Sequence, residues 1–356
     1  MGENNYTFED LAAILPEVWR EKAKELGALQ RAREIKTPED PLKLIFLYLT
    51  EGKSFGNTSV LLSMSESCHL TRKAIYTRLC NSAEWLRWLC ENLCRESRML
   101  VEKPAWLEGK AVYLVDACDE SVYGSSKTDF RLHYSVGLFD LGMKEMRLTD
   151  AKRGEKLSNF ERFGKDDLVI ADRAYGTIAG IEYLGARGSD YLLRYRTGAF
   201  NLYSREHERV EVTEFFQGLE PGGCGEVTLY YQVKGEYKPV RLCAIRKTAE
   251  AEAKGVERLK AMNRMKSHGK PPSEAQLANN RYVIVMTSLL ESEAYLILQL
   301  YRFRWQIELV FKRLKSLFGY NQIPSKVEAS AKAWFYGKLL LAAFCETWAN
   351  KARFSP

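Results

Sequence analysis

Two short apolar runs constrain this chain more than any other feature. AVYLV ends in Asp116, and LVIA ends in Asp172. Each run is rich in Val, Ile and Leu, which is the pattern of a strand buried inside a sheet. In α/β sheets the carboxyl ends of such strands form the edge where ligands bind. Asp is also a common turn former. The same apolar-then-Asp form occurring twice nevertheless points to a shared site.

Around these runs the chain reads as a mixed sheet with helices. LHYSVGLFDLG and KEMRLTDAK have the form of a hairpin turning through FDLGMK. TIAGIEYLGARG reads as a helix, and further strands are expected in DYLLRYRTG, GEVTLYYQVKG, YKPVRLCAIRK and RYVIVMTSLL. A polar, Lys- and Glu-rich helical segment separates the last two, and from Ser292 onward the pattern is helical again. Residues 1 to about 100 read as all helical. Asp40-Pro41 marks one helix start. The stretch from SFGNTSVLL to RKAIYTRLC has the form of a helix-turn-helix, with Thr71, Arg72 and Lys73 opening its second helix. A plain helical bundle with an Arg/Lys face is the alternative.

Composition excludes several classes. With 46% hydrophobic and 28% charged residues in 356, the chain reads as globular. No apolar run approaches the roughly 20 residues of a membrane span. The opening MGENNYTFEDLAA lacks the basic-then-apolar order of a signal peptide. Eight cysteines show no paired CxxC spacing, so reduced core thiols and a cytoplasmic location are expected. The net charge of +7 is concentrated in places: residues 246–281 hold nine Lys/Arg against four Glu. Such clustering favours a nucleic-acid partner.

Near the C-terminus, YRFRWQIELVFKRLK places one carboxylate, Glu308, among five cationic side chains. On a continuous helix, Tyr301, Arg304, Glu308, Lys312 and Lys315 fall within an arc of about 80°. The stripe has three readings: a solvated face of i,i+4 ion pairs, a nucleic-acid-binding helix, or a catalytic carboxylate beside phosphates. The third has a definite chemistry. Two or three carboxylates hold a pair of Mg²⁺ ions about 3.5–4 Å apart, one activating a water or 3′-hydroxyl and the other stabilising the leaving oxygen. Lys and Arg on the same face would grip the adjoining phosphates.

Tyr301-x2-Arg304-x3-Glu308-x6-Lys315 resembles the Y-(2)-R-(3)-E-(6)-K signature of the insertion-sequence-four family of DDE transposases. VYLVDAC and LVIADRAYG resemble that family's first and second aspartate strands, and LTDAKRGEKL between them is similar to family sequence. One departure is DACDES, where the family often has Asp followed by Gly or Thr and Thr, which brings Asp119 in beside Asp116. The resemblance implies an α/β fold with an RNase H-like mixed-sheet core (residues 105–194 and 291–356), a β-rich insertion (195–290) and a helical N-terminal DNA-binding domain (1–104). It implies Asp116, Asp172 and Glu308 as catalytic metal ligands for two Mg²⁺ ions, with Mn²⁺ able to substitute. Tyr301, Arg304, Lys312, Lys315 and Arg173 would lie near DNA. The implied activity is nicking and strand transfer at transposon ends, by a homodimer bound to double-stranded terminal inverted repeats and target DNA. No membrane is involved, and the location is cytoplasmic, at the nucleoid. An RNase H-like nuclease or a domesticated DNA-binding protein without catalysis are the rival readings.

Overall fold

The computed structural model describes residues 8–30, 33–52, 54–64, 68–93, 102–140, 142–266, 270–309, 311–312 and 323–353. Its first hundred residues are helical as expected: α1 (Phe8–Ala12), α2 (Trp19–Glu25), α3 (Glu39–Leu47), α4 (Phe55–Met64), α5 (Arg72–Asn81) and α6 (Ala83–Leu93). Local chemistry sets their starts. The Asp40 carboxylate accepts the Lys36 and Thr37 N–H groups at 2.8 Å, with Pro41 in the first turn of α3. The Thr71 hydroxyl caps α5 by accepting from Ala74 N at 3.2 Å. In α6, Trp85, Leu86, Leu89 and Cys90 recur at helical spacing and are all fully buried. Each such leucine contributes about 2 kcal/mol by leaving water.

AVYLV and LVIA lie side by side in the sheet that follows. Strand β1 (Ala111–Glu120) pairs antiparallel with β2 (Phe130–Gly137), which pairs antiparallel with β3 (Met143–Asp150) through the expected hairpin. β1 also pairs in parallel with β4 (Asp167–Ala171), and β4 with β5 (Asp190–Arg194). The crossover between β4 and β5 is α7 (Ile178–Gly185), capped by the Thr177 hydroxyl. One expectation needs correction. Asp116 does not end β1, which continues to Glu120; only the parallel pairing with β4 stops, at Val115 and Ala171. Beyond that point β1 is held by β2 alone, so the polar stretch DACDE stays extended.

The segment expected as an insertion extends the same sheet. Short strands β6 (Leu202–Tyr203) and β7 (Arg209–Val210) precede the long hairpin β8 (Cys224–Val233) and β9 (Glu236–Arg246). Helices α8 (Ala249–Lys266) and α9 (Glu274–Asn280) follow, the latter with a Ser273/Gln276 capping box. Strand β10 (Tyr282–Thr287) then lies between β5 and β9, antiparallel to both. Among the described residues the sheet has ten strands in the order β3-β2-β1-β4-β5-β10-β9-β8-β6-β7. The chain closes with α10 (Ala294–Arg302) and the 26-residue α11 (Glu328–Arg353).

Helices cover both faces of the sheet. One core joins Leu114, Leu132, Leu148 and Ile170 to Trp85 and Leu89 of α6, Leu298 of α10 and Tyr336 of α11. The other joins Val115, Val169 and Ala171 to Ile181 and Leu184 of α7 and to Leu229 and Leu242 of the insertion. The Tyr336 hydroxyl accepts from Leu148 N at 2.9 Å, and the Cys90 thiol donates to the Tyr336 carbonyl at 3.1 Å. The fold is therefore α/β, with a mixed-sheet RNase H-like core. No helix among the described residues is long and apolar enough to cross a membrane.

Candidate active site

Strand alternation settles which face each aspartate occupies. Val112, Leu114 and Cys118 of β1 point into the first core, and so do Leu168 and Ile170 of β4. Asp116 and Asp172 continue these even-numbered series. The two carboxylates follow paired Val115 and Ala171, so they sit next to each other where the strands part. Asp119 belongs to the odd series and points to the opposite face, where its carboxylate accepts the Arg131 Nε–H at 2.8 Å.

The third carboxylate comes from the far end of the chain. The expected continuous helix over Tyr301–Lys315 is interrupted: α10 ends at Arg302, and Phe303–Trp305 form a 3₁₀ turn before helix resumes. The tighter turn breaks the single stripe drawn from a constant 100° per residue. Tyr301, Ile307 and Phe311 are buried in the first core, Glu308 and Lys312 are exposed, and Arg304 lies between. The Arg304 guanidinium reaches Glu308 Oε1 at 2.5 Å and Asp116 Oδ2 at 3.6 Å. It thus joins two of the three candidate acids.

The electrostatics of this cluster are uneven. Burial pushes the Asp116 carboxyl up to about 6, and the charges of Asp172 and Glu155 push the same way. The Ala117 N–H, 2.8 Å from Oδ1, and Arg304 oppose the rise without cancelling it. Burial also raises the Glu155 carboxyl, while neighbouring Arg131, 3.8 Å away, pulls it down. Asp172 accepts the Ala174 N–H at 2.8 Å.

The remaining expected residues divide. Tyr301, expected on the DNA side, is 7% exposed and hydrogen-bonded to Arg194 at the end of β5, so it lies behind the site. Arg173 is exposed and close enough to Arg194 to disfavour that residue's charge. Thr71, Arg72 and Lys73 are exposed on α5, with the Thr71 hydroxyl engaged as the cap. Arg72 lies against Gly56 of α4, so the two helices are in close contact there. Lys315 lies outside the described residues. Sequence reasoning missed Arg194, Glu155 and Tyr175. The latter two stand in LTDAKRGEKL and LVIADRAYG, so the signal was present in segments already singled out.

Among the described residues, no three His, Cys, Asp or Glu side chains are gathered closely enough to hold a metal ion. The donor set is nonetheless that of a hard divalent cation, all carboxylate oxygen. The Asp116 carboxyl is raised chiefly by burial, with the charge of Asp172 beside it adding to the rise.

Comparison with known proteins gives the same picture. The family model described as a transposase DDE domain matches residues 147–344, which include Asp172 and Glu308. InsL of insertion sequence element IS186A from Escherichia coli strain K12 is 31% identical over 95% of this chain and 93% of its own length. The transposase for insertion sequence element IS421 from Escherichia coli is also 31% identical, with the same coverage. The transposase for insertion sequence element IS231C from Bacillus thuringiensis subsp. berliner is 22% identical over 96% of this chain and 78% of its own. With such a match over more than half its length and such relatives over nearly all of it, the chain belongs to the DDE transposases, metal-dependent enzymes that cleave DNA and transfer the cut strand.

Proposed function

We propose that this protein is the cut-and-paste transposase of an insertion sequence, with Asp116, Asp172 and Glu308 as the acids of its active site. The observation that carries the reading is the link through Arg304. Asp116 and Asp172 follow the last paired residues of β1 and β4, and Arg304 bridges Asp116 to Glu308. Two Mg²⁺ ions, or Mn²⁺ in their place, would activate the attacking water or 3′-hydroxyl and stabilise the leaving oxygen.

The protein's own groups do the rest. Asp116 and Asp172 supply oxygen ligands from the ends of the paired strands, and Glu308 supplies one from the helical segment that follows Arg304. Once displaced from the carboxylates, Arg304 is free to bind the phosphates flanking the cut, with exposed Arg173 and Lys312, and Lys315, as further phosphate contacts. Tyr301 and Arg194 back this helix against β5. Residues 1–104, with Arg72 and Lys73 on α5, read the terminal inverted repeats, and residues 195–290 form the insertion. The active form is a homodimer on paired double-stranded ends, acting in the cytoplasm at the nucleoid.

The test uses the element's own flanking DNA with Mg²⁺ and sequencing of the cleaved ends. Asp116→Asn abolishes cleavage, whereas Asp119→Asn retains most of it, because Asp119 lies on the opposite face of β1 and is held by Arg131. The reverse result would overturn the assignment of the first ligand.

A further inference from the structure

The basic cluster of residues 246–281 lies far from the aspartates in sequence, yet the sheet brings it to their edge. β5 runs parallel to β4, β10 antiparallel to β5, and β9 antiparallel to β10. The ends of β4, β5 and β9 and the start of β10 therefore share one edge. Alternation also gives them one face. Leu192 of β5 lies in the first core, and Val283 of β10 and Ile245 of β9 pack against it. Arg194, Arg281 and Lys247 stand two residues further along those strands, on the face that Asp116 and Asp172 occupy. The ladder reaches this far, since the Lys247 N–H donates to the Arg281 carbonyl at 2.8 Å.

Helix α8 continues the row. Lys247 Nζ donates to Asn280 Oδ1 at 3.0 Å, and Asn280 lies so close to Gly255 of α8 that a Cβ there would overlap it. One turn on, Arg258 is exposed. Burial lowers the Lys247 ammonium, the charges of Arg194 and Arg258 add to the fall, and Glu252 opposes it. Arg173 and Arg196, just past β4 and β5, are exposed too. Glu252 answers Arg281 at 3.3 Å, whereas Arg173, Arg196 and Arg258 form no ion pair among the described residues. Such a row attracts polyanions. It also has a direction. The first hundred residues pack at the opposite end of the sheet, where Trp85 and Leu89 of α6 share a core with Leu148 of β3, and the aspartates lie between.

We propose that this row grips, through its phosphates, the duplex that flanks the element on the outer side of the cut. The element's end lies towards β3, the scissile phosphate at β1 and β4, and the flank runs over β5, β10 and β9 to Arg258. Three strand spacings span about 14 Å, and with the turn of α8 the row matches about four to six base pairs. This rests on Asp116 and Asp172 marking the cut and on residues 1–104 holding the element's end.

The experiment measures binding of the full chain, without divalent metal, to element-end duplexes over a range of salt concentrations. One duplex carries both sides of the cut, a second has the flank trimmed away, and a third is trimmed on the element side. Arg196→Gln/Arg258→Gln lowers the salt slope on the first and third by about 1.8, at about 0.9 per phosphate contact, whatever the flank sequence. On the second, variant and wild type bind alike. Arg258→Gln alone, with a loss of about 0.9, reads the same contact should the double variant fail to fold. Lys260→Gln, about 160° round α8 from Arg258 and paired with Glu257 at 2.8 Å, changes no slope. An unchanged slope on the full duplex overturns the proposal. So does a loss that survives trimming of the flank, because the row would then hold the element itself. Cleavage by Asp116→Asn at the wild-type rate, with the flank-dependent loss intact, overturns the assignment of the acids and not the contact.

Discussion

Asp116→Asn should make the metal-free protein more stable, and the size of the effect follows from the site. Burial and the neighbouring charges of Asp172 and Glu155 outweigh Arg304 and the Ala117 N–H, lifting the carboxyl from its ordinary 3.8 to about 6. A gap of about two pH units is worth about 3 kcal/mol. The sign is set by the direction of the shift. Below pH 4 the group is protonated both folded and unfolded, and the fold loses nothing. Between about pH 4 and 6 the unfolded chain releases the proton more readily than the folded one, so stability falls as pH rises. Above 6 the full cost is present. Asparagine has nothing to ionise, so urea unfolding at pH 7 should show it about 2–3 kcal/mol more stable than wild type, with the difference closing by pH 4. Added Mg²⁺ should stabilise the wild type and not the variant. A variant less stable at pH 7, or a difference flat between pH 4 and 6, would refute the electrostatic reasoning.

Other substitutions separate the remaining roles. Glu308→Gln keeps size and removes charge, so strand cleavage should be lost while binding to element ends stays within a few-fold in a filter or gel assay, since phosphate contacts dominate affinity. Arg72→Ala and Lys73→Ala should reduce discrimination between the cognate end and random DNA in competition, and unchanged discrimination would return α4 and α5 to a structural role. Thr71→Ala should instead lower stability by about 1 kcal/mol through loss of the cap. Glu91 is fully buried and 2.5 Å from Arg162. Glu91→Ala should therefore lower stability in urea unfolding by opening a cavity and leaving Arg162 without its acid, while Arg87 keeps Glu84 at 3.0 Å.

What could be read in advance follows physical range. The strands around Asp116 and Asp172 were legible because continuous apolar runs are a local signal, and the β2–β3 hairpin because its turn residues are local too. The extension of β1 through DACDE was not, since that stretch is polar and stays extended only through its pairing with β2. The two-residue strands β6 and β7 are too short to carry a period. The wheel drawn over Tyr301–Lys315 grouped Arg304 with Glu308 correctly, and the two do touch. It drew Tyr301 into the same stripe, and Tyr301 is buried near Arg304 instead of exposed with Glu308; no Pro or Gly announces the 3₁₀ turn at Phe303–Trp305. Tyr301 with Arg194 is a meeting between a helix and a distant strand that no local pattern encodes.

The position of α11 has a consequence for how the molecule comes into being. Its Tyr336 backbone and hydroxyl are bonded to Cys90 of α6 and Leu148 of β3, and Phe344 lies in the same core as Trp85. A chain emerging from the ribosome therefore carries both aspartates and Glu308 before the helix that completes the packing of α6 on the sheet has been made. Until residues 328–353 are added, the apolar sides of α6 and β3 remain open to water. The segment expected to hold the element's end and the one expected to cut it therefore share their packing on residues 328–353, so loss of that helix would loosen recognition from cleavage while every catalytic side chain was still present.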